Sequence, residues 1–186
     1  MSTRSMILME QENGEYMGVY CHCDGYLTHN GALLIDHYSD REKVKELVGL
    51  GDLSYLAPRI IPYPDRAHSF DKPQRGVCIF YGRDRGETST EATKVTLEEL
   101  DGDPWIEYTY VFGLDDKWRY FEYRALEKGL KSLDKDLNSI FEDWGFPRPK
   151  GIYGWYTKSD IERLKSQSIE GEENREEEKY MDKITK

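Results

Sequence analysis

Cysteine, positive charge and long apolar runs are all scarce in this chain of 186 residues. Its three cysteines are too few for a disulfide framework and odd in number, so we expect a reducing cytoplasm as its location. No run approaches the roughly 18 apolar residues that a membrane span needs. The opening residues hold only four successive apolar residues, fewer than the apolar part of a signal peptide. We therefore expect no membrane span and no secretory leader.

Basic residues are the minority, with 26 Lys and Arg against 36 Asp and Glu, which gives a formal net charge of -10. Such a field repels phosphate backbones and anionic membranes, so we expect neither direct DNA binding nor membrane binding. It attracts basic surfaces, including the channels of proteins that themselves bind nucleic acid. The 14 tyrosines favour a surface on which rings meet a partner.

The pattern of apolar residues predicts an α+β fold: an antiparallel sheet of about five strands, two helices after strand two and a helical C-terminal extension. The predicted strands lie at 5–9, 16–20, 76–81, 105–112 and 117–123. Asn13 and Gly14 separate the first two and predict a β-hairpin. The strand at 76–81 is nearly all apolar, which predicts a central position in the sheet.

Helices are predicted at 31–38, 40–50, 126–144 and 157–165. Ser39 and Glu42 have the spacing of a capping box, and Thr96 is placed to cap a brief helical turn. Four prolines predict a long loop at 57–76. We expect three parts: a core domain at 1–125, a helical extension at 126–169, and an acidic, disordered tail at 170–186.

The stretch Gly18 to Gly31, GVYCHCDGYLTHNG, gathers reactive residue types. Zinc could be held by the Cys and His side chains in and after it, which are Cys21, His22, Cys23, His29 and His37. The C-x-C spacing is unlike the usual C-x2-C pair, so we expect no bound metal and no cofactor. The alternative is that the cysteines are small buried residues and the histidines cap loops.

A cysteine nucleophile is a second hypothesis for this stretch, with a nearby His and Asp24 as partners. Neither Cys21 nor Cys23 is flanked by a nucleophile signature, so we expect the chain not to be an enzyme. The remaining interpretation is a strand-to-helix joint. In it, His22, Asp24, Gly25 and Gly31 shape the turn.

Two charged stretches are candidate partner-binding surfaces. In the first, Gly82 to Glu87, the residues Arg83, Asp84, Arg85 and Glu87 either fix a turn by local ion pairs or recognise a carboxylate or phosphate. The second is an acidic run: Glu98, Glu99, Asp101, Asp103 and Glu107. It is either a solvated face or an imitation of a phosphate backbone that occupies a basic groove.

These motifs resemble a widespread family of small phage and prophage proteins. The family pattern is an H-W-D-G-Y core, then a helix ending in Tyr, K-V-x-x-L, G-D-L-S-x-L, and a G-R-D-R-G-E loop before an aromatic hairpin. The matching residues are His22, Asp24, Gly25, Tyr26, Gly31, Tyr38, Lys43, Val44, Leu47, Gly51, Asp52, Leu53, Ser54, Leu56, Gly82 to Glu87, Trp118 and Tyr120. Cys23 departs from the usual tryptophan.

One branch of that family looks like phage-encoded anti-CRISPR proteins that inhibit type II-A RNA-guided nucleases. The resemblance implies a binder in the host cytoplasm whose partner is a CRISPR-associated RNA-guided nuclease, with or without guide RNA. It would block target-DNA binding or cleavage through the acidic run, the residues 83–87 and exposed rings near Tyr26. Two alternatives stay open: a metal- or cysteine-dependent phage enzyme acting on a small molecule, and a counter-defence protein against another bacterial immune system.

Overall fold

The computed structural model describes residues 2–143, 145, 147, 148 and 150, and shows an α+β fold built on one open, mixed sheet. Its strands are β1 (Ser5–Glu10), β2 (Tyr16–Cys21), β3 (Leu53–Tyr55), β4 (Ile79–Phe80), β5 (Thr93–Val95), β6 (Tyr108–Phe112), β7 (Trp118–Glu122) and β8 (Lys131–Ser132). Its helices are α1 (Ala32–His37), α2 (Arg41–Gly49), α3 (Tyr81–Arg85), α4 (Leu97–Gly102) and α5 (Leu133–Asp143). A π-helical turn spans Leu27–Gly31 and a 3-10 turn spans Leu126–Lys128.

The strand order is β4-β3-β2-β1-β6-β7-β8, and β5 pairs with β2. The predicted α+β class is confirmed, but the predicted sheet of about five antiparallel strands differs from the structure in the number of strands and in the direction of two pairs. The described sheet has eight strands, and the pairs β1–β6 and β2–β3 are parallel. Ser5 pairs with Tyr108 across the first of these. No turn joins segments so far apart in sequence, so no local pattern could reveal the pairing.

Both predicted hairpins are confirmed. In β1–β2 the last paired residues are Glu10 and Tyr16, and Gly14 in the turn has φ +79°. In β6–β7 they are Phe112 and Trp118. The Asn-Gly turn located the first hairpin, and alternation between the two faces of the sheet located the second.

The two faces of the sheet are covered unequally. On one face, Ile7, Val19 and Tyr110 pack against α1, α2 and the start of α5. On the other, Leu8 and Val111 belong to a smaller cluster that includes the α4 residue Leu100. The central strands are thus buried on both sides, while α4 and its acidic neighbours lie on the thinner layer.

The two helices after strand two are confirmed, with one correction at a cap. The N-cap of α2 is Asp40 rather than Ser39, because the Asp40 carboxylate accepts from Lys43 N at 3.1 Å. At α4 the predicted cap Thr96 is confirmed, and the structure adds a full capping box: Thr96 accepts from Glu99 N, and Glu99 accepts from Thr96 N.

The strand predicted at 76–81 was wrong in length and position. Only Ile79–Phe80 forms β4, and it pairs with β3 at the end of the strand order. Its neighbours Val77 and Cys78 are buried, yet they belong to no strand. Burial there comes from α1 and from the loop 57–76, since Tyr38 and Arg59 both contact Cys78. An apolar run in the sequence indicates that a segment is buried, but it does not show which elements cover that segment.

The helix predicted at 126–144 is interrupted. Gly129 adopts φ +80°, β8 follows and pairs with β7, and α5 begins only at Leu133. Leu126 and Leu130 pack on the face that holds Leu8, whereas Leu133 packs on the opposite face. The chain therefore crosses the edge of the sheet between Leu130 and Leu133. The described part of the predicted extension 126–169 packs into the same core as residues 1–125.

The helix predicted at 157–165 and the tail at 170–186 lie outside the described residues. Within the described part of the chain, every helix is too short or too polar to cross a bilayer.

Candidate partner-binding surfaces

The stretch Gly18 to Gly31 forms a buried joint between β2 and α1. Its central side chain is Asn30, which is fully buried and which the sequence analysis missed. Asn30 Nδ2 donates to Ser5 Oγ at 3.2 Å, Cys23 O at 3.3 Å and Cys21 Sγ at 3.4 Å. His29 lies between Asn30 Oδ1 and Tyr55 Oη, 3.0 Å from each. The network fixes the joint to the sheet.

Asp24 and Gly25 act in this joint through their backbones. Asp24 has φ +55°, and its carbonyl accepts from Asn30 N at 3.2 Å. Gly25 donates to Thr3 O at 2.8 Å and accepts from Tyr110 Oη at 2.8 Å. A Cβ on Gly25 would lie 2.9 Å from backbone atoms of residues 3 and 4. The Asn30 amide therefore makes the contacts that the sequence suggested for the Asp24 side chain.

His22 and Gly31 occupy the two ends of the joint. His22 N donates to Leu53 O at 2.9 Å, and its ring Nδ1 lies 2.8 Å from Tyr20 Oη. Gly31 lies under the sheet, where an added Cβ would meet Leu133 Cδ1 at 3.0 Å. Both positions link the joint to neighbouring elements.

Two of the three cysteines, Cys21 and Cys78, are buried. Asn30 donates to the Cys21 thiol, and burial raises the pKa of Cys21 to about 12. Ala57 N donates to Cys78 Sγ at 3.2 Å, and burial raises the pKa of Cys78 as well. Because the thiolate is the nucleophilic form, neither is suited to nucleophilic chemistry at neutral pH. Among the described residues, no three His, Cys, Asp or Glu side chains are grouped so as to hold a metal ion.

Tyr26 is not on the surface. Only 5% of the residue is exposed, and its ring lies 5.9 Å from that of His29. The expectation of exposed rings near Tyr26 was therefore wrong at this residue. The number of tyrosines could not show this, because burial of the Tyr26 ring depends on how the joint folds.

The G-R-D-R-G-E stretch is a helix, α3, closed by Gly86 at φ +72°. The Asp84 side chain is only 2% exposed and accepts from Phe80 N at 2.8 Å and Arg83 Nε at 2.7 Å. Arg83 also donates to Ile60 O at 2.6 Å and Cys78 O at 2.7 Å. Arg83 and Asp84 thus hold the loop 57–76 against β4, which leaves their charges little freedom to meet a partner.

Arg85 and Glu87 lie at the C-terminal end of this stretch and are exposed. Their side chains pair at 2.8 Å. The Arg85 guanidinium lies 4.4 Å from the centre of the Tyr81 ring and 4.6 Å from that of Phe70. Arg85 Nη1 also donates to Ser54 Oγ at 3.1 Å. Arg85 therefore joins α3 to the tip of the neighbouring loop.

Hydrogen bonds from a buried side chain hold the backbone of the loop 57–76 in place. Gln74 is buried, and its Oε1 accepts from Tyr63 N at 2.7 Å. Its Nε2 donates to Tyr63 O at 3.1 Å and Arg66 O at 2.8 Å, while Gln74 N donates to His68 Nδ1 at 3.0 Å. A long loop without regular structure that is held this firmly is typical of a functional loop.

This loop presents apolar and cationic side chains to solvent. Ile61 is 62% exposed, Tyr63 39% and Phe70 48%. The Arg59 guanidinium lies 4.1 Å from the centre of the Tyr63 ring, and that of Arg66 lies 5.7 Å from it. The aromatic loop surface is defined here as Ile61, Tyr63, Phe70, Arg59, Arg66 and Arg85. The prolines predicted the loop, but no pattern predicted which side chains face out.

The acidic run forms a second surface, the acidic ridge, which comprises Glu98, Glu99, Asp101, Asp103, Trp105 and Glu107. Four of its carboxylates also accept hydrogen bonds from backbone N–H groups, and one of these is Glu107, which accepts from Arg4 N at 3.2 Å. Glu99 completes the α4 capping box, Asp101 accepts from Ala125 N at 2.9 Å, and Asp103 accepts from Trp105 N at 2.9 Å. Glu98 and Glu107 are exposed.

Trp105 is the exposed apolar centre of the acidic ridge. The residue is 65% exposed, and the Arg4 guanidinium lies 5.0 Å from its ring centre. The sequence placed Trp105 in a strand, but β6 begins at Tyr108, so the ring projects from the connection before it. A large exposed aromatic ring is the kind of side chain that dominates binding hot spots.

An open cleft of about 760 Å³ lies between the β1–β2 turn and α2. Apolar Met9, Met17 and Val48 line it together with charged residues such as Arg41, which is bonded to Asp116 at 2.8 Å. The described residues that line it include no His, Cys or Ser. They therefore offer neither a Cys–His nor a Ser–His pair for catalysis.

No protein-family model, no curated protein and no solved structure matches this chain.

Proposed function

We propose that this protein is a phage anti-CRISPR binder that attaches to a type II RNA-guided nuclease, with or without its guide RNA. Binding blocks the engagement or cleavage of target DNA. The family resemblance suggests the partner, and the acidic ridge supplies the chemistry. Such nucleases hold nucleic acid in positively charged channels, where an acidic protein competes with DNA.

The observation that carries the proposal is the exposure of Trp105 within the acidic ridge. Large aromatic side chains dominate binding energy when a partner desolvates them. Carboxylates around such an anchor steer a basic partner toward it and fix its orientation. Trp105 at 65% exposure, beside Asp103 and Glu107, combines both elements in one place.

The test is a gel-shift and DNA-cleavage assay with the purified nuclease–guide complex. Wild-type protein in excess is expected to prevent DNA binding or cutting. Trp105→Ala should weaken association by about 2 kcal/mol, which is about 30-fold. Leu114→Ala is the matched control, because Leu114 is an exposed apolar residue on the separate β6–β7 turn.

Charge is tested with Glu98→Lys, since Glu98 is exposed and its backbone lies in the first turn of α4. We expect slower association and a weaker salt dependence. Glu46→Lys, on the exposed side of α2, serves as its control. DNA binding and cutting that continue unchanged at excess wild-type protein would refute the proposed function.

A further inference from the structure

The aromatic loop surface differs in charge from the rest of the molecule. The segment 57–87 contains six basic and four acidic residues, in a chain whose net charge is -10. One of those four acids, Asp84, is buried against Arg83. Asp84 and Arg83 neutralise each other, so five basic and three acidic residues remain and the segment keeps a net positive charge of 2.

We propose that the aromatic loop surface is a second contact site, which binds a carboxylate-rich surface of a partner protein. The inference rests on the proposed function, because the partner is a protein surface of the same nuclease–guide complex. The acidic ridge and the aromatic loop surface would then contact regions of opposite charge on one target.

The geometry of the cations suits carboxylates. Arg59 and Arg66 both lie close to the Tyr63 ring, and stacking occupies the face of a guanidinium rather than its N–H edge. That edge forms two parallel hydrogen bonds with one carboxylate. Arg66 pairs with Asp65 at 3.1 Å, but both side chains are well exposed, so a partner carboxylate can replace Asp65 at little cost.

The surface is also pre-organised. Gln74 fixes the backbone of Tyr63 and Arg66 from the interior, and Arg83 fixes Ile60 beside Ile61. Binding a partner therefore does not have to order this loop, which removes a cost that flexible loops incur on association. Three exposed apolar side chains on a rigid backbone are the arrangement that partner surfaces desolvate well.

A protein fits this surface better than a nucleic acid does. Ile61 and Phe70 have no hydrogen-bonding groups, and an isoleucine provides no ring on which a base can stack. The net charge of -10 opposes the approach of a phosphate strand. A carboxylate-rich protein surface satisfies the arginines and covers the apolar side chains together.

The test compares binding of full-length variants to the purified nuclease–guide complex by biolayer interferometry. Arg59→Glu/Arg66→Glu is expected to weaken binding at least about tenfold. Tyr63→Ser/Phe70→Ser should also weaken it, through lost apolar contact. Lys117→Glu/Lys128→Glu changes the net charge equally at exposed positions elsewhere and should leave binding unchanged. Circular dichroism and urea unfolding confirm that each variant is folded.

Two further probes identify the occupant. With guide-free nuclease, the substitutions at Arg59 and Arg66 should still weaken binding. A free single-stranded RNA of about 20 nucleotides should not bind this chain. Loss of the loop dependence without guide, or binding of the RNA through Arg59 and Arg66, would show a nucleic-acid occupant and overturn the inference.

The two proposals fail in different ways. Wild-type protein that does not bind the nuclease refutes the proposed function and this inference with it. Wild-type binding that the loop variants leave unchanged, while Trp105→Ala weakens it, refutes the second contact site alone.

Discussion

Gln74 and Tyr63 form a reciprocal pair: the buried amide of Gln74 bonds both the N–H and the carbonyl of Tyr63, at 2.7 and 3.1 Å. The ring of Tyr63 is exposed, while the side chain that positions it is buried. An interior residue thus determines the geometry of the aromatic loop surface.

Replacing Gln74 with alanine should loosen this loop. Tyr63 N, Tyr63 O and Arg66 O would lose their partner in a part-buried setting, which we expect to cost about 2–3 kcal/mol of unfolding free energy. Urea unfolding and limited proteolysis within 57–76 measure the effect. Gln11→Ala, which removes one bond to Met9 O, is the control and should change little. Unchanged protease resistance would contradict the role of Gln74.

Asp84 should be a stability residue rather than a contact residue. Asp84→Ala removes the acceptor of Phe80 N and the partner of Arg83, and we expect a loss of about 3 kcal/mol. Asp65→Ala breaks an exposed pair with Arg66 and should leave the unfolding midpoint as in the wild type. Equal midpoints for the two variants would show that burial of Asp84 contributes nothing.

Gly25 should tolerate no side chain. Gly25→Ala places a Cβ 2.9 Å from backbone atoms of residues 3 and 4, so we expect a loss of about 2–3 kcal/mol. Gly49→Ala is the matched control, because nothing lies within 4 Å of its added Cβ at the end of α2. That substitution should stabilise the protein by about 0.5–1 kcal/mol. Thermal unfolding of the two variants should therefore shift in opposite directions.

Stability should fall when the pH drops below about 6.5. Burial lowers the pKa of His29 in the folded protein, so the unfolded chain takes up a proton that the folded chain does not. The resulting loss begins at the ordinary histidine pKa and ends at the lowered one. Urea unfolding at pH 5.5 and 7.5 measures it.

His29→Gln should reduce this pH dependence more than His37→Gln does. Burial lowers the pKa of His37 as well, but His37 is only half-buried, whereas His29 lies inside the joint. The same pH dependence in wild type and His29→Gln would contradict the assignment. A smaller effect at His29 than at His37 would contradict it too.

Local patterns predicted the local structure of this fold. Asn13-Gly14, the alternation at 105–123 and the capping residue Thr96 each act over a few residues, and each located its element. The pairing of β1 with β6 depends on contacts about one hundred positions apart, so no short pattern contained it. The helix predicted at 126–144 is interrupted at Gly129 because the chain crosses an edge of the sheet there. The spacing of apolar residues in the sequence does not reveal such a crossing.

For a similar reason, the sequence predicted the acidic ridge better than the aromatic loop surface. The acidic run was visible because charge is a property of the sequence itself. Exposure is a property of the fold: Tyr26 is buried by the joint, Asp84 by the loop 57–76, and Tyr63 is held outward by Gln74. Residue types alone gave no indication of these three outcomes.

The parallel partnership of β1 with β6 has a consequence during synthesis. The β1–β2 hairpin leaves the ribosome before β6, so β1 lacks its second neighbour until Tyr108–Phe112 has been made. At translation rates of about 5–20 residues per second, that delay lasts roughly 5–20 s. For that time an apolar strand has an unpaired edge, which is where nascent chains aggregate. Production of this protein should therefore respond to chaperones that act on nascent chains.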